Sequence, residues 1–295
     1  MSEALKQMLR RLYNAVPLKP FVFRAVRRLA NIPPSLSHHL YFEGVFTTSI
    51  ADQTVRLYNP GKALETALFW NGITAIDEPQ SMALWMKLAQ HARVILDVGA
   101  NTGIYAITAK IVQPTARVLG FEPIERIYQR FVTNCQMNQL DIACRSYAVS
   151  DEDGQGTIYD LPETHHYRAS LRPEVVQHLT PTLISKSIQL HRLTTIMAEE
   201  RLETIDLIKI DVEGAEPFVI AGGGDLWKRH RPGILIEINR DDTGSTIEAL
   251  LKDLGYLFFN IDEKNPPRRV DHLVRSQERN YLLCSHEQAA YLNLL

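Results

Sequence analysis

The chain has 295 residues, of which 45% are hydrophobic and 22% charged, and its formal net charge is −2. This length suits one large domain, or a domain with an added segment. The near-neutral charge creates no global field that would attract a nucleic acid, so we expect no nucleic-acid partner. The three cysteines have no CxxC spacing, which argues against a disulfide framework or a zinc site.

Residues 1–78 are predicted to form an N-terminal extension made of a basic helix, a linker and short strands. In residues 1–30, seven Lys and Arg residues accompany one acid, and apolar residues recur at helical spacing. Two interpretations stay open: a helix packed on the main domain, or a helix lying on an anionic membrane surface. No apolar run is long enough to span a bilayer and no signal-peptide pattern is present. We therefore expect a cytoplasmic protein, with peripheral contact to the inner membrane face as the alternative.

Residues 79–295 are predicted to form the main domain, because strands and helices alternate from residue 93 onward. Alternation of this kind indicates a parallel sheet with helices on both faces. Residues 150–200 interrupt it with extra strands around a polar loop, and we interpret them as an insertion. The strands of the sheet are predicted at 94–96, 117–121, 146–149, 205–210, 234–238, 256–259 and 281–284. The helices are predicted at 79–91, 104–112, 124–139, 217–220 and 245–254.

The segment from Asp97 to Gly103, Asp-Val-Gly-Ala-Asn-Thr-Gly, is the strongest indication of a ligand site, because it joins a predicted strand to a helix. Gly99 and Gly103 permit a tight turn and close approach by a ligand. Asn101 stands where a GxGxxG motif has its second glycine, which disfavours a dinucleotide. Asp97 would repel a phosphate but attract the ammonium group of a methionine moiety. A carboxylate that caps the following helix is the alternative.

Two later segments place more acids at strand ends. Glu122, in Gly-Phe-Glu-Pro, follows the next predicted strand and can accept hydrogen bonds from ribose hydroxyls. The segment from Ile208 to Glu216, Ile-Lys-Ile-Asp-Val-Glu-Gly-Ala-Glu, brings three acids to the end of a buried strand. Acids in the first turn of a helix are ordinary capping residues. We assign that role to Glu216 and expect Asp211 to face the ligand crevice.

Taken in this order, these segments resemble the FkbM family of methyltransferases, over roughly residues 78–285. The similarity extends to Ala148-Val149-Ser150, Ile236-Glu237-Ile238 and Asn280-Tyr281-Leu282. The resemblance implies a Rossmann-like class I methyltransferase with a seven-stranded, mostly parallel sheet and helices on both faces. It also implies S-adenosylmethionine as donor and methylation of a hydroxyl on a sugar, glycan or natural product. The family's usual Thr-Leu-Asp before the fourth strand is replaced here by Leu193-Thr194-Thr195-Ile196.

The candidate site residues divide into a cofactor set and a catalytic set. The cofactor set consists of Glu78, Asp97, Gly99, Ala100, Asn101, Gly103, Glu122, Pro123, Ser150 and Asp211. Because an attacking hydroxyl must lose its proton, Asp211, Glu213 and Glu237 are candidate bases. His165 and His166 in the insertion are further candidates.

Asp211 and Glu237 could hold a divalent ion through oxygen ligands, but nothing in the spacing demands one, so we predict no metal. Two other functional classes fit the same fold. One is an NAD-dependent oxidoreductase, and the other is a non-catalytic binding protein with a methyltransferase fold.

Overall fold

The computed structural model describes residues 19–29, 32, 34–37, 39–73, 78–161, 169–177 and 183–295. The helices are α1 (Lys19–Leu29), α2 (Pro34–Ser37), α3 (Ala63–Asn71), α4 (Pro79–Ala89), α5 (Ile104–Val112), α6 (Glu125–Met137), α7 (Pro173–Val176), α8 (Leu193–Glu199), α9 (Glu216–Ala221), α10 (Leu226–His230), α11 (Asp241–Leu250) and α12 (His286–Tyr291). The strands are β1 (Glu43–Ile50), β2 (Gln53–Pro60), β3 (Val94–Val98), β4 (Arg117–Phe121), β5 (Ile142–Arg145), β6 (Ala148–Ser150), β7 (Gly154–Asp160), β8 (Ala169–Ser170), β9 (Ile184–Arg192), β10 (Leu207–Ile210), β11 (Gly233–Glu237), β12 (Leu257–Asn260), β13 (Arg268–Val270) and β14 (Asn280–Cys284).

The main sheet has the order β13-β12-β14-β11-β10-β3-β4-β5. From β11 to β5 the neighbouring strands are parallel, whereas β14 runs antiparallel to both β11 and β12. This confirms the Rossmann-like class I methyltransferase fold, to which β13 adds an edge strand beyond the seven expected. The chain proceeds outward from β3 in one direction and from β10 in the other. The carboxyl ends of these two strands therefore border the crevice where such sheets bind ligands.

The core lies on both faces of the sheet because alternate residues of each buried strand point in opposite directions. All five residues of β3 are buried. Ile95 belongs to an apolar cluster that includes Trp85 of α4 and Ile107 of α5. Leu96 belongs to a second cluster, which includes Val219 of α9. This two-sided burial holds the ends of β3 and β10 in fixed positions.

The insertion forms a second sheet with the order β6-β9-β7-β8, as its extra strands predicted. One strand prediction was wrong. The segment 146–149 was expected to continue the main sheet, but β5 is the strand beside β4, and β6 pairs with β9 instead. The reason is that β5 lies at the sheet edge with only Ile142 fully buried, so its apolar pattern is weak. All three residues of β6 are buried, which gave the stronger signal.

The N-terminal extension shares its core with the main domain. Phe23 of α1, Phe42 and Trp70 of α3 belong to the same apolar cluster as Trp85. The short strands expected in the extension are the antiparallel pair β1 and β2. The first part of the predicted basic helix, residues 1–18, lies outside the described residues, and the domain boundary at residue 78 stays a prediction. Within the described ranges, no helix has the length and apolar content needed to cross a membrane.

One carboxyl group is buried in the extension away from any apparent ligand. Glu65 of α3 is 1% exposed, and neither of its oxygens has a hydrogen-bond partner within the described part of the chain. Burial raises the pKa of Glu65 to about 7. The group is therefore far easier to protonate than an exposed glutamate, which makes the stability of this region sensitive to pH.

Candidate active site

The turn after β3 is packed directly against the end of β10. The backbone amides of Gly99 and Ala100 donate hydrogen bonds to the Phe121 carbonyl oxygen at 3.0 and 2.9 Å. Gly99 has φ +81°, and a Cβ atom at this position would lie 1.9 Å from the Asp211 carbonyl oxygen. Only glycine fits this conformation and this distance. The turn thus holds the ends of β3, β4 and β10 close together.

Two buried acids flank this turn. Asp97 is 1% exposed, and its Oδ2 accepts a hydrogen bond from the Ala106 amide at 2.9 Å. Glu122 is 6% exposed and accepts from the amides of Asn101 and Ile124 at 3.1 and 2.9 Å. Burial raises the pKa of Asp97 to about 6 and that of Glu122 to about 7. Asp97 bonds to helix α5, as the capping alternative expected, and both acids also line the cavity.

Asn101 supplies a polar atom that the protein itself leaves unused. Its Oδ1 is buried and has no hydrogen-bond partner among the described residues. Asn101 lines a cavity at the carboxyl ends of β3, β4 and β10. An unsatisfied buried acceptor costs free energy unless a ligand or water pairs with it. This atom therefore indicates where a ligand donor would be bound.

A chain of charged groups crosses the floor of the cavity. Lys209 donates a hydrogen bond from Nζ to Oδ2 of Asp211 at 2.7 Å, and the Asn239 side chain donates one to Oε2 of Glu237, also at 2.7 Å. The carboxyl groups of Asp211 and Glu237 influence each other's pKa. Burial raises the pKa of Glu237 to about 9, and the Asp211 charge adds to this effect. Burial also acts to raise the pKa of Asp211, but the Lys209 ammonium outweighs it and the net shift is downward. The two shifts are opposite in direction, so they favour an ionised Asp211 and a protonated Glu237.

Lys209 is held in place by more than Asp211. Its Nζ lies 4.5 Å from the centre of the Tyr105 ring, and the Tyr105 hydroxyl donates a 2.7 Å hydrogen bond to Glu78. Burial would lower the pKa of Lys209, but the carboxylates of Asp211, Glu78 and Asp97 raise it overall. The ammonium group is thus a permanent positive charge beneath an acid-rich surface.

The two remaining acids, Glu213 and Glu216, follow β10 and have different roles. Glu216 is fully buried, and its Oε1 accepts hydrogen bonds from the amides of Val212 and Gly214 at 3.2 and 3.0 Å. Glu216 therefore has a structural role, as predicted, but it holds the loop before α9 and makes no capping hydrogen bond to the helix. Glu213 lines the cavity, and its carbonyl oxygen accepts a 2.6 Å hydrogen bond from the Ser170 hydroxyl of the insertion.

These groups surround a cavity of about 350 Å³ at the carboxyl ends of β3, β4 and β10. It brings together most of the residues predicted from the sequence, namely Glu78, Asp97, Gly99, Ala100, Asn101, Glu122, Pro123, Asp211, Glu213 and Glu237. Gly103 and Ser150 are not among the lining residues, so their contact with a ligand stays a prediction. His165 and His166 lie outside the described residues.

The cavity also includes residues that the sequence analysis missed. Lys209 and Tyr105 lie on its floor, Ala63, Leu64 and Ala67 of α3 form one wall, and Ile158, Ala169 and Leu171 come from the insertion. A signal for Lys209 was present, since residues two apart on a strand share a face and Asp211 follows at that spacing. The two walls form through contacts between residues distant in sequence, so no local sequence pattern could predict them.

Comparison with known proteins gives the family. The model of the methyltransferase FkbM domain matches residues 97–258, which is more than half of the chain. Methyltransferase sdnD of Sordaria araneosa is 28% identical over 55% of this chain and 73% of its own length. The 31-O-demethyl-FK506 methyltransferase FkbM of Streptomyces tacrolimicus is 28% identical over 59% of this chain and 75% of its own. The 2-O-methyltransferase NoeI of Sinorhizobium fredii is 33% identical over 47% of this chain and 60% of its own.

A solved structure of methyltransferase FkbM from Methylobacillus flagellatus KT superimposes with a TM-score of 0.42 and 14% identity. That alignment covers 65% of this chain but less than half, 43%, of the other chain. The family match spans the ligand turn, the acid after β4 and the segment that carries Lys209 and Asp211. The chain therefore belongs to the FkbM family of methyltransferases.

Proposed function

We propose that this methyltransferase transfers a methyl group from S-adenosylmethionine to a hydroxyl of a sugar, glycan or natural product. The observation that carries the proposal is the charge of the cavity, where six carboxyl groups surround a single ammonium group among the described lining residues. The names of two relatives, a 31-O-demethyl-FK506 methyltransferase and a 2-O-methyltransferase, support oxygen as the methylated atom.

The residues present fit S-adenosylmethionine, which carries a sulfonium, an ammonium and a carboxylate group. Asp97 and Glu78 would hold its cationic methionine end by opposite charge. Glu122 lies at the end of β4, where an acid accepts hydrogen bonds from ribose hydroxyls. The unpaired Oδ1 of Asn101 offers one more acceptor within the same cavity.

The same charges disfavour the NAD-dependent alternative. A dinucleotide would place a doubly charged pyrophosphate near Asp97, beside a turn that has Asn101 in place of the usual second glycine. Like charges at this proximity in a partly buried site repel by several kcal/mol, about 4 kcal/mol at 4 Å and an effective dielectric constant of about 20. A ligand with a sulfonium and an ammonium group avoids that repulsion and is attracted by each ionised carboxylate.

Bound S-adenosylmethionine would supply a methyl carbon that is already electrophilic. The protein's part in the reaction is therefore to align the acceptor hydroxyl and to remove its proton. Asp211 is ionised at neutral pH and faces the cavity, so it orients the acceptor hydroxyl and accepts its proton. Glu237 helps to lower the pKa of Asp211 and so keeps that carboxylate ionised. Lys209 balances the charge on Asp211 from below. Glu213 is a second carboxylate within the same cavity and the alternative base.

Calorimetry and turnover on matched variants test the proposal. S-adenosylhomocysteine should bind the wild-type protein, and NADH should not. Asp211→Asn should keep this binding within about threefold while turnover with a hydroxyl acceptor falls about 100-fold or more. Acceptors can be found by incubating labelled S-adenosylmethionine with panels of sugars, glycans and polyketide alcohols. Asp253→Asn is the control, because Asp253 is exposed and its φ of +62° suits asparagine.

The outcomes separate the parts of the proposal. If S-adenosylhomocysteine does not bind at millimolar concentration, the proposal that S-adenosylmethionine is the donor is rejected. Binding without methylation of any acceptor panel would favour the non-catalytic alternative. Full turnover by Asp211→Asn would reject Asp211 as the base, and loss of turnover in a Glu213→Gln variant would then transfer that role to Glu213.

A further inference from the structure

Helix α1 is fixed on the protein body by one of its faces. Phe23 is 8% exposed, and its ring centre lies 5.2 Å from that of Trp70. The Arg24 guanidinium donates a 2.5 Å hydrogen bond to the Val45 carbonyl oxygen of β1. Arg27 donates to the Thr47 carbonyl oxygen of the same strand at 3.2 Å. These contacts determine which face of the helix points away from the body.

The opposite face of α1 is apolar and exposed. Phe21 is 71% exposed, Val22 38% and Leu29 87%, and Leu36 of the neighbouring α2 is 50% exposed. Residues 21, 22, 25 and 29 lie on one side of a helix because their spacing follows its 3.6-residue period. The other large exposed apolar residues of the described chain lie outside α1 and α2, at Ile184, Leu250, Val274, Tyr291 and Leu295. Single exposed residues are ordinary, whereas a cluster of this kind marks a contact surface.

The charged residues of α1 itself are all basic. α1 carries Lys19, Arg24, Arg27 and Arg28 and no acid, although the whole chain has a net charge of −2. In the sequence before α1, which lies outside the described residues, Lys6, Arg10 and Arg11 accompany one acid, Glu3. A second copy of the chain would bring two such basic faces together and be repelled. An anionic surface with an apolar interior complements both the charge and the exposed side chains.

We propose that the outward face of α1, formed by Phe21, Val22, Ala25 and Leu29, docks on the surface of a membrane that contains anionic lipids. The apolar side chains enter the boundary between headgroups and acyl chains, and the exposed Arg28 lies near the lipid phosphates. Arg24 and Arg27 stay bonded to β1 and add only longer-range attraction. α1 contacts β1, and α3 contacts the same β1–β2 pair and forms one wall of the cavity. The docking helix and that wall therefore belong to one packed unit.

Vesicle sedimentation with the full chain tests this surface. The wild-type protein should bind vesicles of phosphatidylcholine mixed with phosphatidylglycerol at least tenfold more strongly than vesicles of phosphatidylcholine alone. Raising the salt concentration from about 0.1 to about 0.5 M should weaken binding, since the charge attraction is screened. The double variant Phe21→Ser/Leu29→Ser should bind at least tenfold more weakly than the wild type, because it loses both of the most exposed apolar side chains.

Val274→Ser is the matched control, because Val274 is 52% exposed on another part of the molecule, and it should bind like the wild type. Circular dichroism should show that both variants keep the wild-type fold, as expected for changes at exposed positions. The proposal is overturned if the wild type binds neither vesicle, or if the double variant binds as strongly as the wild type. A dimer in sedimentation velocity that the double variant abolishes would also overturn it, by assigning the face to a second copy.

Discussion

Replacing Lys209 with methionine should destabilise the protein, because it leaves the Asp211 carboxylate without its partner at 2.7 Å. Two unit charges at this distance attract by about 6 kcal/mol at an effective dielectric constant of about 20, but desolvation offsets much of that gain. Removing one member of a buried pair costs about 3–5 kcal/mol. The Asp211 side chain is 29% exposed toward the cavity, so water still reaches it. We therefore expect a loss near the lower limit, about 3 kcal/mol of unfolding free energy.

A double-mutant cycle isolates the pair. Lys209→Met/Asp211→Asn removes both charges, so it should lose only about 1 kcal/mol, well below the sum of the two single losses. Urea unfolding followed by circular dichroism at pH 7 measures these values. Lys252→Met, at an exposed position, is the control and should change stability by less than about 0.5 kcal/mol. Additive losses in the double variant would refute the reasoning, since they would mean that the two charges do not stabilise each other.

The same substitution has a kinetic consequence of defined sign. Lys209 lowers the pKa of Asp211, so its removal should raise that pKa. Because only the ionised carboxylate accepts a proton, activity in Lys209→Met should begin to fall at a higher pH as the solution is acidified. The acidic limb of the pH–turnover profile should therefore move toward neutral pH. If this limb does not move, Lys209 does not control the pKa of the catalytic base.

The remaining predictions concern the donor site, the ligand turn and a buried acid. Glu122→Ala should weaken S-adenosylhomocysteine binding about 10- to 100-fold by calorimetry, and Glu122→Gln by less, because one amide oxygen still accepts. Gly99→Ala should lose about 3 kcal/mol or more in urea unfolding, whereas Gly72→Ala, with φ +78° but no atom within 4 Å of the added Cβ, should lose about 1–2 kcal/mol. Glu65 has a raised pKa of about 7 in the folded state, so the stability it contributes at acid pH is lost as the pH rises from about 4.5 through 7. Glu65→Gln should therefore gain about 3 kcal/mol relative to the wild type between pH 4.5 and pH 8, and a constant difference would contradict this.

The alternating part of the fold was predictable because its signals are local. β3 and β10 are fully buried, so each appears in the sequence as a short apolar run that ends at an acid. The turn at Gly99 was predictable for a similar reason, since a glycine after a strand and before a helix is typical of a ligand turn. β5 was misplaced because an edge strand buries too little apolar surface to show a pattern.

The chemistry of the floor was only partly predictable. Asp211 directly follows β10 and Glu237 is the last residue of the adjacent β11, so their meeting at one sheet edge could be expected. The sequence could not show that the pKa of Glu237 is raised, because the shift depends on burial and on the Asp211 charge nearby. Nor could it show that Tyr105 connects Glu78 to Lys209, since these residues come from three separate elements.

The origin of the cavity walls indicates where acceptor selectivity resides. The floor consists of strand ends and the turn after β3, and these are the parts that would hold the donor. The walls come from outside that framework: Leu64 and Ala67 from the N-terminal extension, and Ile158 and Leu171 from the insertion. Because both walls are apolar and neither contributes a charge to the floor, changes in them can alter the shape offered to an acceptor without disturbing donor binding. Under the proposed function, a chain that retained the same floor but had different walls would therefore be expected to keep the donor and methylate a different acceptor.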